Sequence, residues 1–193
     1  MEQERPDGLG TLIMIGGAED KIGTKVILST LAQIVGDRKL VVSTIASEEP
    51  ELQWRTYSRV FGELGVSNVS HLPAETRDEL SDPAAVSMIE EAGAVFFTGG
   101  DQLKITTKLG GTLTYNAVRT LYKKRSGVIA GTSAGAAAMG QVMLMATGVG
   151  GPEKHSIRQA FMMARGLSLI RDMVIDQHFA QRARIERLLG AIA

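Results

Sequence analysis

The stretch that most constrains the fold is residues 127–138, with the sequence GVIAGTSAGAAA. It is typical of a short apolar strand, a sharp turn and the start of a helix, with Ser133 at the turn. Glycines two positions to either side, Gly131 and Gly135, would let the strand and the helix pass closely while the serine adopts a strained backbone conformation. The pattern therefore predicts a serine hydroxyl exposed above a sheet edge. The alternative is a turn of small residues that only packs a helix on a sheet.

A serine at such a turn could attack a carbonyl group, provided that the oxyanion formed in the attack is stabilised. The helix after Ser133 would aim free N–H groups and a partial positive charge at the same point. We expect the backbone N–H of Ala134 to be one oxyanion donor. A second glycine turn, at residues 99–101, could supply the other donor, and Gly100 is the candidate.

Apolar runs alternate with amphipathic segments along most of the chain. Because the predicted strands are apolar throughout, we expect a mostly parallel sheet with helices on both faces, a doubly wound, flavodoxin-like α/β fold. A further short strand is predicted at residues 173–175, and a last helix at residues 181–192. The other predicted strands are residues 11–15, 40–46, 66–72, 94–97 and the run before Gly131. The other predicted helices are residues 25–35, 50–64, 77–91 and 113–123. In the helix predicted at residues 77–91, the regular part is expected to begin after Asp82-Pro83.

Charge and composition exclude several classes of function. The chain has 21 Lys+Arg and 21 Asp+Glu, so it lacks the basic field that nucleic-acid binding normally needs. It has no cysteine, which removes disulfides, thiolate metal sites and cysteine nucleophiles. The N-terminal MEQERPDGLG is polar, and no run approaches the roughly 18 apolar residues that span a bilayer. We expect a cytoplasmic protein with no nucleic-acid or membrane partner.

Three glycine turns follow predicted strands, at residues 16–17, 99–100 and 131. Ligands of parallel sheets bind beyond the carboxyl ends of the strands, so these turns should converge on one site. None of the three has the spacing of a dinucleotide fingerprint or of a phosphate loop. We therefore expect no nucleotide cofactor, and no metal.

A serine nucleophile needs a base, which is usually histidine near neutral pH. His71 lies in a weak strand and is expected to be a packing or surface residue, and His155 lies in a glycine-flanked loop that favours a solvated role. His178 ends the predicted strand at residues 173–175, which would place it at the same sheet edge as Ser133. We take His178 as the base.

Four motifs in this order resemble the cyanophycinases, serine peptidases related to the aspartyl dipeptidases. They are GGAED at residues 16–20, FTGGDQ at 97–102, GTSAGA at 131–136, and DQHF with the arginines behind it at 176–187. The resemblance implies hydrolysis of cyanophycin, an aspartate polymer bearing arginine on its β-carboxyls, to β-aspartyl-arginine dipeptides. It also implies a homodimer, with Ser133 as nucleophile and His178 as base.

The acidic member of the triad is open. Relatives place it between the serine and the histidine, where Glu153 is the only carboxylate between Gly135 and Asp172. The predicted last helix ends without a capping glycine and no strand follows it. We therefore expect one hydrolytic α/β domain over residues 1–193 that lacks a C-terminal portion, and that portion could hold the acid instead.

The resemblance also implies a set of residues that bind the substrate. The arginines would pair with carboxylates through two parallel hydrogen bonds, and Asp101, Asp176 or a glutamine carbonyl could accept from the guanidinium. Terminal arginines that are merely solvated, and a glutamine and an aspartate that merely cap elements, are the alternative. The implied residues are Gln102, Asp176, Gln177, Arg182, Arg184 and Arg187.

Two other functions remain open at this stage. An α-aspartyl dipeptidase of the same superfamily would cleave Asp-X dipeptides in place of the polymer. A catalytically inactive ligand-binding module would keep the fold and bind the polymer without cleaving it.

Overall fold

The computed structural model describes residues 8–146 and 161–178. Strands and helices alternate up to the serine turn, as the sequence predicts, and the end of the described chain is irregular. The strands are β1 (Thr11–Ile15), β2 (Leu40–Ser43), β3 (Val69–Leu72), β4 (Ala94–Phe97), β5 (Val128–Thr132), β6 (Val142–Ala146) and β7 (Phe161–Arg165). The helices are α1 (Val26–Val35), α2 (Pro50–Glu63), α3 (Pro83–Glu90), α4 (Gln102–Lys104), α5 (Leu113–Lys124) and α6 (Ala134–Ala137), with a 3₁₀ turn at Glu79–Ser81 and a π-helical turn at Ile105–Leu109.

Five strands form one parallel sheet in the order β1-β5-β4-β2-β3. The four later strands have the flavodoxin arrangement, and β1 occupies the far edge beside β5. All carboxyl ends therefore lie along one side. Phe97 at the end of β4 pairs with Gly131 near the end of β5, so the FTGGDQ turn and the serine turn are neighbours.

Each face of the sheet has its own hydrophobic core, which confirms helices on both faces. Successive side chains of a strand point to opposite faces, and Phe96 and Phe97 are both fully buried, one in each core. On the Phe96 side the strands pack on α1 and α2, and on the Phe97 side on α3 and α5. This two-sided burial is the reason that the strands read as apolar throughout.

The starts of α3 and α5 follow local sequence signals. The Asp82 carboxylate accepts a hydrogen bond from the N–H of Ala84, and Pro83 occupies the first helical position, so α3 begins where the Asp-Pro pair predicts. The Thr112 hydroxyl accepts from the N–H of Tyr115 at the start of α5. No helix within the described ranges has the length and apolar character needed to cross a bilayer.

The strand predicted at residues 173–175 is wrong. Residues 173–175 are not a strand, and Met173 and Val174 are exposed. The antiparallel pair of β6 and β7 was not predicted, because its methionine-rich strands show no clear alternation of apolar and polar residues. The strand predicted at residues 40–46 ends at Ser43. The helix predicted at residues 181–192 lies outside the described residues.

Candidate active site

Ser133 sits in the sharp turn that its sequence predicts, directly after β5 and before α6. Its φ of 52° and ψ of −110° are unusual for a residue with a side chain. A Cβ on Gly131 would lie 2.5 Å from the carbonyl carbon of Gly135, and a Cβ on Gly135 would lie 2.3 Å from the Phe97 carbonyl oxygen. Both glycines are therefore required by close backbone contact, which keeps the strained turn in place.

His178 reaches Ser133 from the other end of the chain. Its Nε2 lies 2.9 Å from the Ser133 Oγ, and its backbone N–H donates to the Gly16 carbonyl at 2.8 Å. A Cβ on Gly17 would lie only 2.4 Å from His178 Nε2, so the imidazole occupies the space that a side chain there would fill. The expectation that His178 lies near Ser133 holds, although its basis was wrong, because contacts with the turn after β1 place it and not a strand end.

Two glutamines form a hydrogen-bonded chain that ends on Ser133. The Gln102 amide nitrogen donates to the Leu144 carbonyl at 2.8 Å, and the Gln177 amide nitrogen donates to Gln102 Oε1 at 3.1 Å. The Ser133 hydroxyl then lies 2.6 Å from Gln177 Oε1. Gln102 is only 5% exposed, whereas Gln177 is half-buried. The residues of the DQHF and FTGGDQ motifs are thus brought together beside Ser133.

The first oxyanion candidate, Gly100, lies in the turn after β4, which adjoins the serine turn. Gly100, with φ +141°, lines a cleft with Ser133, and a Cβ on Gly99 would lie 3.5 Å from the Ser133 Cβ. The Asp101 N–H already donates to Ala46, and the Asp101 carboxylate accepts from the Leu103 N–H as a helix cap. The Asp101 N–H is therefore engaged, and Gly100 remains the predicted donor of this turn.

Ala134 follows Ser133 directly, as the sequence requires, but α6 is one turn long. The expected partial charge of a long helix is therefore smaller than the sequence suggested, because few peptide dipoles align. The individual N–H of Ala134 is the feature that can stabilise an oxyanion here.

A cleft of about 420 Å³ opens in front of Ser133 and His178. One wall contains Glu19, whose carboxylate accepts from the Tyr57 hydroxyl at 2.5 Å and from the Thr132 hydroxyl at 2.5 Å. The Lys21 ammonium lies 3.0 Å from the same carboxylate. Glu19 thus joins the turn after β1, α2 and the residue before the serine, a role that sequence reasoning missed. Its place directly after the first glycine turn was the available signal.

Glu19 remains ionised in this wall. Burial alone would raise the pKa of its carboxyl, but hydrogen bonds from Thr132, Tyr57 and Lys21 together lower the pKa below its ordinary value. Burial and the neighbouring carboxylate raise the pKa of the Tyr57 phenol, so Tyr57 stays a donor. Glu48 and Glu49 also line the cleft, and Glu48 pairs with Lys104 at 2.5 Å.

The other predicted site residues lie beside this network or outside the described residues. Asp176 is half-buried immediately before Gln177. His71 stacks on Trp54 with ring centroids 4.9 Å apart and lies 2.9 Å from the Thr44 hydroxyl, as expected of a packing residue. In the described part of the chain, no three metal-ligating side chains come together. Glu153, His155, Arg182, Arg184 and Arg187 lie outside the described residues.

Comparisons with known proteins agree with the motifs. The model of peptidase family S51 matches residues 12–193. The whole chain is 36% identical to a cyanophycinase of Nostoc sp. and spans 65% of its length. Over 95% of the chain it is 34% identical to a cyanophycinase of Synechococcus elongatus, of which it spans 57%.

Among solved structures, a peptidase from an acI-B1 actinobacterium has a TM-score of 0.73 at 19% identity, covering 96% of this chain and 76% of its own. That likeness supports the doubly wound fold. The family model, which matches nearly the whole chain, settles the classification. The chain belongs to peptidase family S51.

Proposed function

We propose that this chain carries the catalytic site of a cyanophycin-degrading serine peptidase. The observation that carries the proposal is the Ser133 hydroxyl 2.9 Å from His178 Nε2 on a glycine-locked turn. A hydroxyl within hydrogen-bond reach of an imidazole is the arrangement that nucleophilic catalysis requires. Relatives named cyanophycinase, at 34% and 36% identity, support the choice of polymer.

The first half of the reaction follows from this geometry. Ser133 Oγ attacks the scissile carbonyl while His178 Nε2 takes the hydroxyl proton, and the N–H groups of Gly100 and Ala134 stabilise the oxyanion. The tetrahedral intermediate collapses, the C–N bond breaks, and His178 returns the proton to the leaving amine. An acyl-enzyme remains on Ser133.

Water completes the second half by the same steps. His178 takes a proton from the water as its oxygen attacks the acyl carbonyl, and the proton then passes to Ser133 Oγ as the acid product leaves. A carboxylate that holds the imidazole is part of this proposal. Glu153 is its candidate within the chain, and the part of the longer relatives that this chain does not span is the alternative place for it.

The charges of the cleft fit a substrate that carries both signs. Each unit of cyanophycin has a carboxylate and a guanidinium, and the cleft is lined by Lys21 as well as by Glu48 and Glu49. Guanidinium groups pair well with carboxylates through two parallel hydrogen bonds. Glu49 is the carboxylate proposed for this role, since Glu48 is already paired with Lys104. The proposed partners of the substrate carboxylates remain Arg182, Arg184 and Arg187. The other proposed substrate-binding residues remain Gln102, Asp176 and Gln177.

The direct test is incubation of the purified chain with cyanophycin and detection of β-aspartyl-arginine by mass spectrometry. Release of the dipeptide is expected from the parent chain and not from Ser133→Ala. Cleavage of α-Asp-X dipeptides alone would favour the aspartyl dipeptidase. Binding of the polymer without release would favour the inactive module.

The arginine clamp has its own test. Arg184→Lys keeps the charge but not the planar fork, so we expect about a tenfold loss in kcat/KM on cyanophycin. Arg59→Lys on the exposed face of α2 is the matched control. Equal activity of Arg184→Lys and the parent would remove Arg184 from the clamp.

Cytoplasmic location and a homodimer belong to the same proposal, and light scattering of the purified chain tests the dimer.

A further inference from the structure

The direction of the two-glutamine chain is fixed at its buried end. The Gln102 amide nitrogen faces the Leu144 carbonyl at 2.8 Å and the Met145 sulfur at 3.0 Å, and both partners can only accept. Gln102 must therefore place its nitrogen there and its oxygen towards Gln177. Exchanging the nitrogen and oxygen of Gln102 would bring two acceptors together.

The orientation of the Gln102 amide also fixes the orientation of the Gln177 amide. Its nitrogen must donate to Gln102 Oε1, at 3.1 Å, so its oxygen points at Ser133. The Ser133 hydroxyl has one proton and, among the described residues, two hydrogen-bond neighbours, Gln177 Oε1 at 2.6 Å and His178 Nε2 at 2.9 Å. When the proton points to Gln177, the contact with His178 can only be a hydrogen bond from the imidazole to the hydroxyl. In that state the histidine cannot act as base towards Ser133.

We propose that Gln177, oriented by Gln102, holds the hydroxyl proton of Ser133 away from His178 until a hydrogen-bond donor of the substrate occupies the Gln177 carbonyl. This rests on the proposed function, in which Ser133 is the nucleophile. Gln102 is a positioning residue, because it is 5% exposed and acts through Gln177. The fitting donor is a cationic N–H group, such as an ammonium or a guanidinium, since a charged donor can displace the neutral hydroxyl.

The proposal gives Gln177 two opposite effects that a purely supporting role would not give. It slows Ser133 towards a reagent that has no hydrogen-bond donor, and it helps to bind a substrate that has one. A net hydrogen bond of about 1 kcal/mol corresponds to about a fivefold change in rate. Removal of the Gln177 carbonyl should therefore speed the first reaction and weaken the second.

The experiment uses diisopropyl fluorophosphate on the full chain. In this reaction the Ser133 Oγ–P bond forms, the P–F bond breaks, fluoride leaves and the hydroxyl proton passes to His178. We expect Gln177→Met to be labelled about five times faster than the parent, and its KM for cyanophycin to rise about fivefold. Gln102→Met should change both in the same directions, to a smaller extent, because it frees the Gln177 amide to turn.

Gln33→Met, an exposed substitution on α1, is the matched control and should change neither quantity. Circular dichroism and the melting temperature establish that each variant is folded. Labelling of folded Gln177→Met at or below the parent rate overturns the proposal, as does the absence of labelling in both proteins.

The labelling assay also separates this inference from the choice of polymer. Faster labelling of Gln177→Met in a chain that does not cleave cyanophycin would support the held proton and reject the substrate. Cleavage of cyanophycin together with unchanged labelling would reject the held proton and leave the proposed function standing.

Discussion

Ser133 and His178 meet in one site, but the chain holds them there in different ways. Ser133 is placed by the backbone, because β5 and the close contact of Gly131 with Gly135 restrict the conformation of its turn. His178 is placed by an irregular segment, through a bond from its N–H to Gly16 and the space above Gly17. The proposed nucleophile thus belongs to the core of the sheet, whereas the proposed base is held by a contact between distant segments.

This difference predicts which changes affect the fold and which affect only the chemistry. A substitution at the serine turn must disturb backbone atoms that the core cannot move. A substitution at the first glycine turn displaces a side chain that is half-buried at the surface of the core. The two glycine turns should therefore respond differently to the same added methyl group.

The largest effect is expected from Ser133→Ala, which removes the hydroxyl oxygen proposed to attack the substrate. We expect a loss of about 10³-fold or more in cyanophycin cleavage with an unchanged melting temperature, because only binding and oxyanion donors remain. Ser126→Ala is the control, since Ser126 is exposed and also has a positive φ, of 52°. Near-normal turnover of Ser133→Ala would end the serine-peptidase mechanism.

Gly17→Ala tests the placement of His178. The added Cβ would lie 2.4 Å from His178 Nε2, so the imidazole must leave, and we expect about a 10²-fold loss in kcat. Gly111→Ala is the control: it has a positive φ of 78°, but its nearest neighbour is the Arg77 side chain at 3.7 Å. An equal loss in both variants would assign the effect to backbone strain.

Gly131→Ala tests the other side of the comparison. Its Cβ would meet backbone atoms of Gly135 at 2.5 Å, so we expect the free energy of unfolding to fall by about 3 kcal/mol, measured in urea. Gly62→Ala is the matched control, because nothing lies within 4 Å of its added Cβ and alanine favours a helix. If Gly131→Ala is as stable as Gly62→Ala, the elbow is not locked by contact.

Glu19→Gln should have the smallest effect. We expect the free energy of unfolding to fall by about 2 kcal/mol at pH 7, because Glu19 links the turn after β1 to the residue before Ser133 by hydrogen bonds. The folded pKa of Glu19 lies below its ordinary value of 4.5, so this stabilisation is present above that value and is lost as the pH falls through the folded pKa. Urea unfolding at pH 7 and in acid should show a gap between parent and variant that closes in acid. Glu51→Gln, from an exposed pair with Arg55, should show almost no gap.

The features that could be predicted from the sequence are those set by local backbone signals, and the features that were missed are those set by contacts between distant segments. The turn at Ser133 and strands β1 and β4 were predicted because each depends on local signals, such as apolar runs and glycines at fixed spacing. The path of residues 173–178 was not, because contacts with Gly16 and Gly17 decide it and no local pattern records them. Glu19 and the burial of Gln102 were missed for the same reason, since their partners are remote in the chain.

The position of β1 at the sheet edge also sets an order of assembly in time. Its only partner in the described sheet is β5, so a loop of more than a hundred residues must close first, at an entropic cost of about 4 kcal/mol. The Ser133 N–H donates to the Ile15 carbonyl at the end of β1, and the His178 N–H donates to the carbonyl of Gly16, the next residue. The proposed nucleophile and the proposed base are therefore both attached to the end of this late strand. Activity should therefore appear last during refolding, together with protection of the β1 amides in pulsed hydrogen exchange. Docking of one edge strand would then act as the step that switches a folded core into an enzyme.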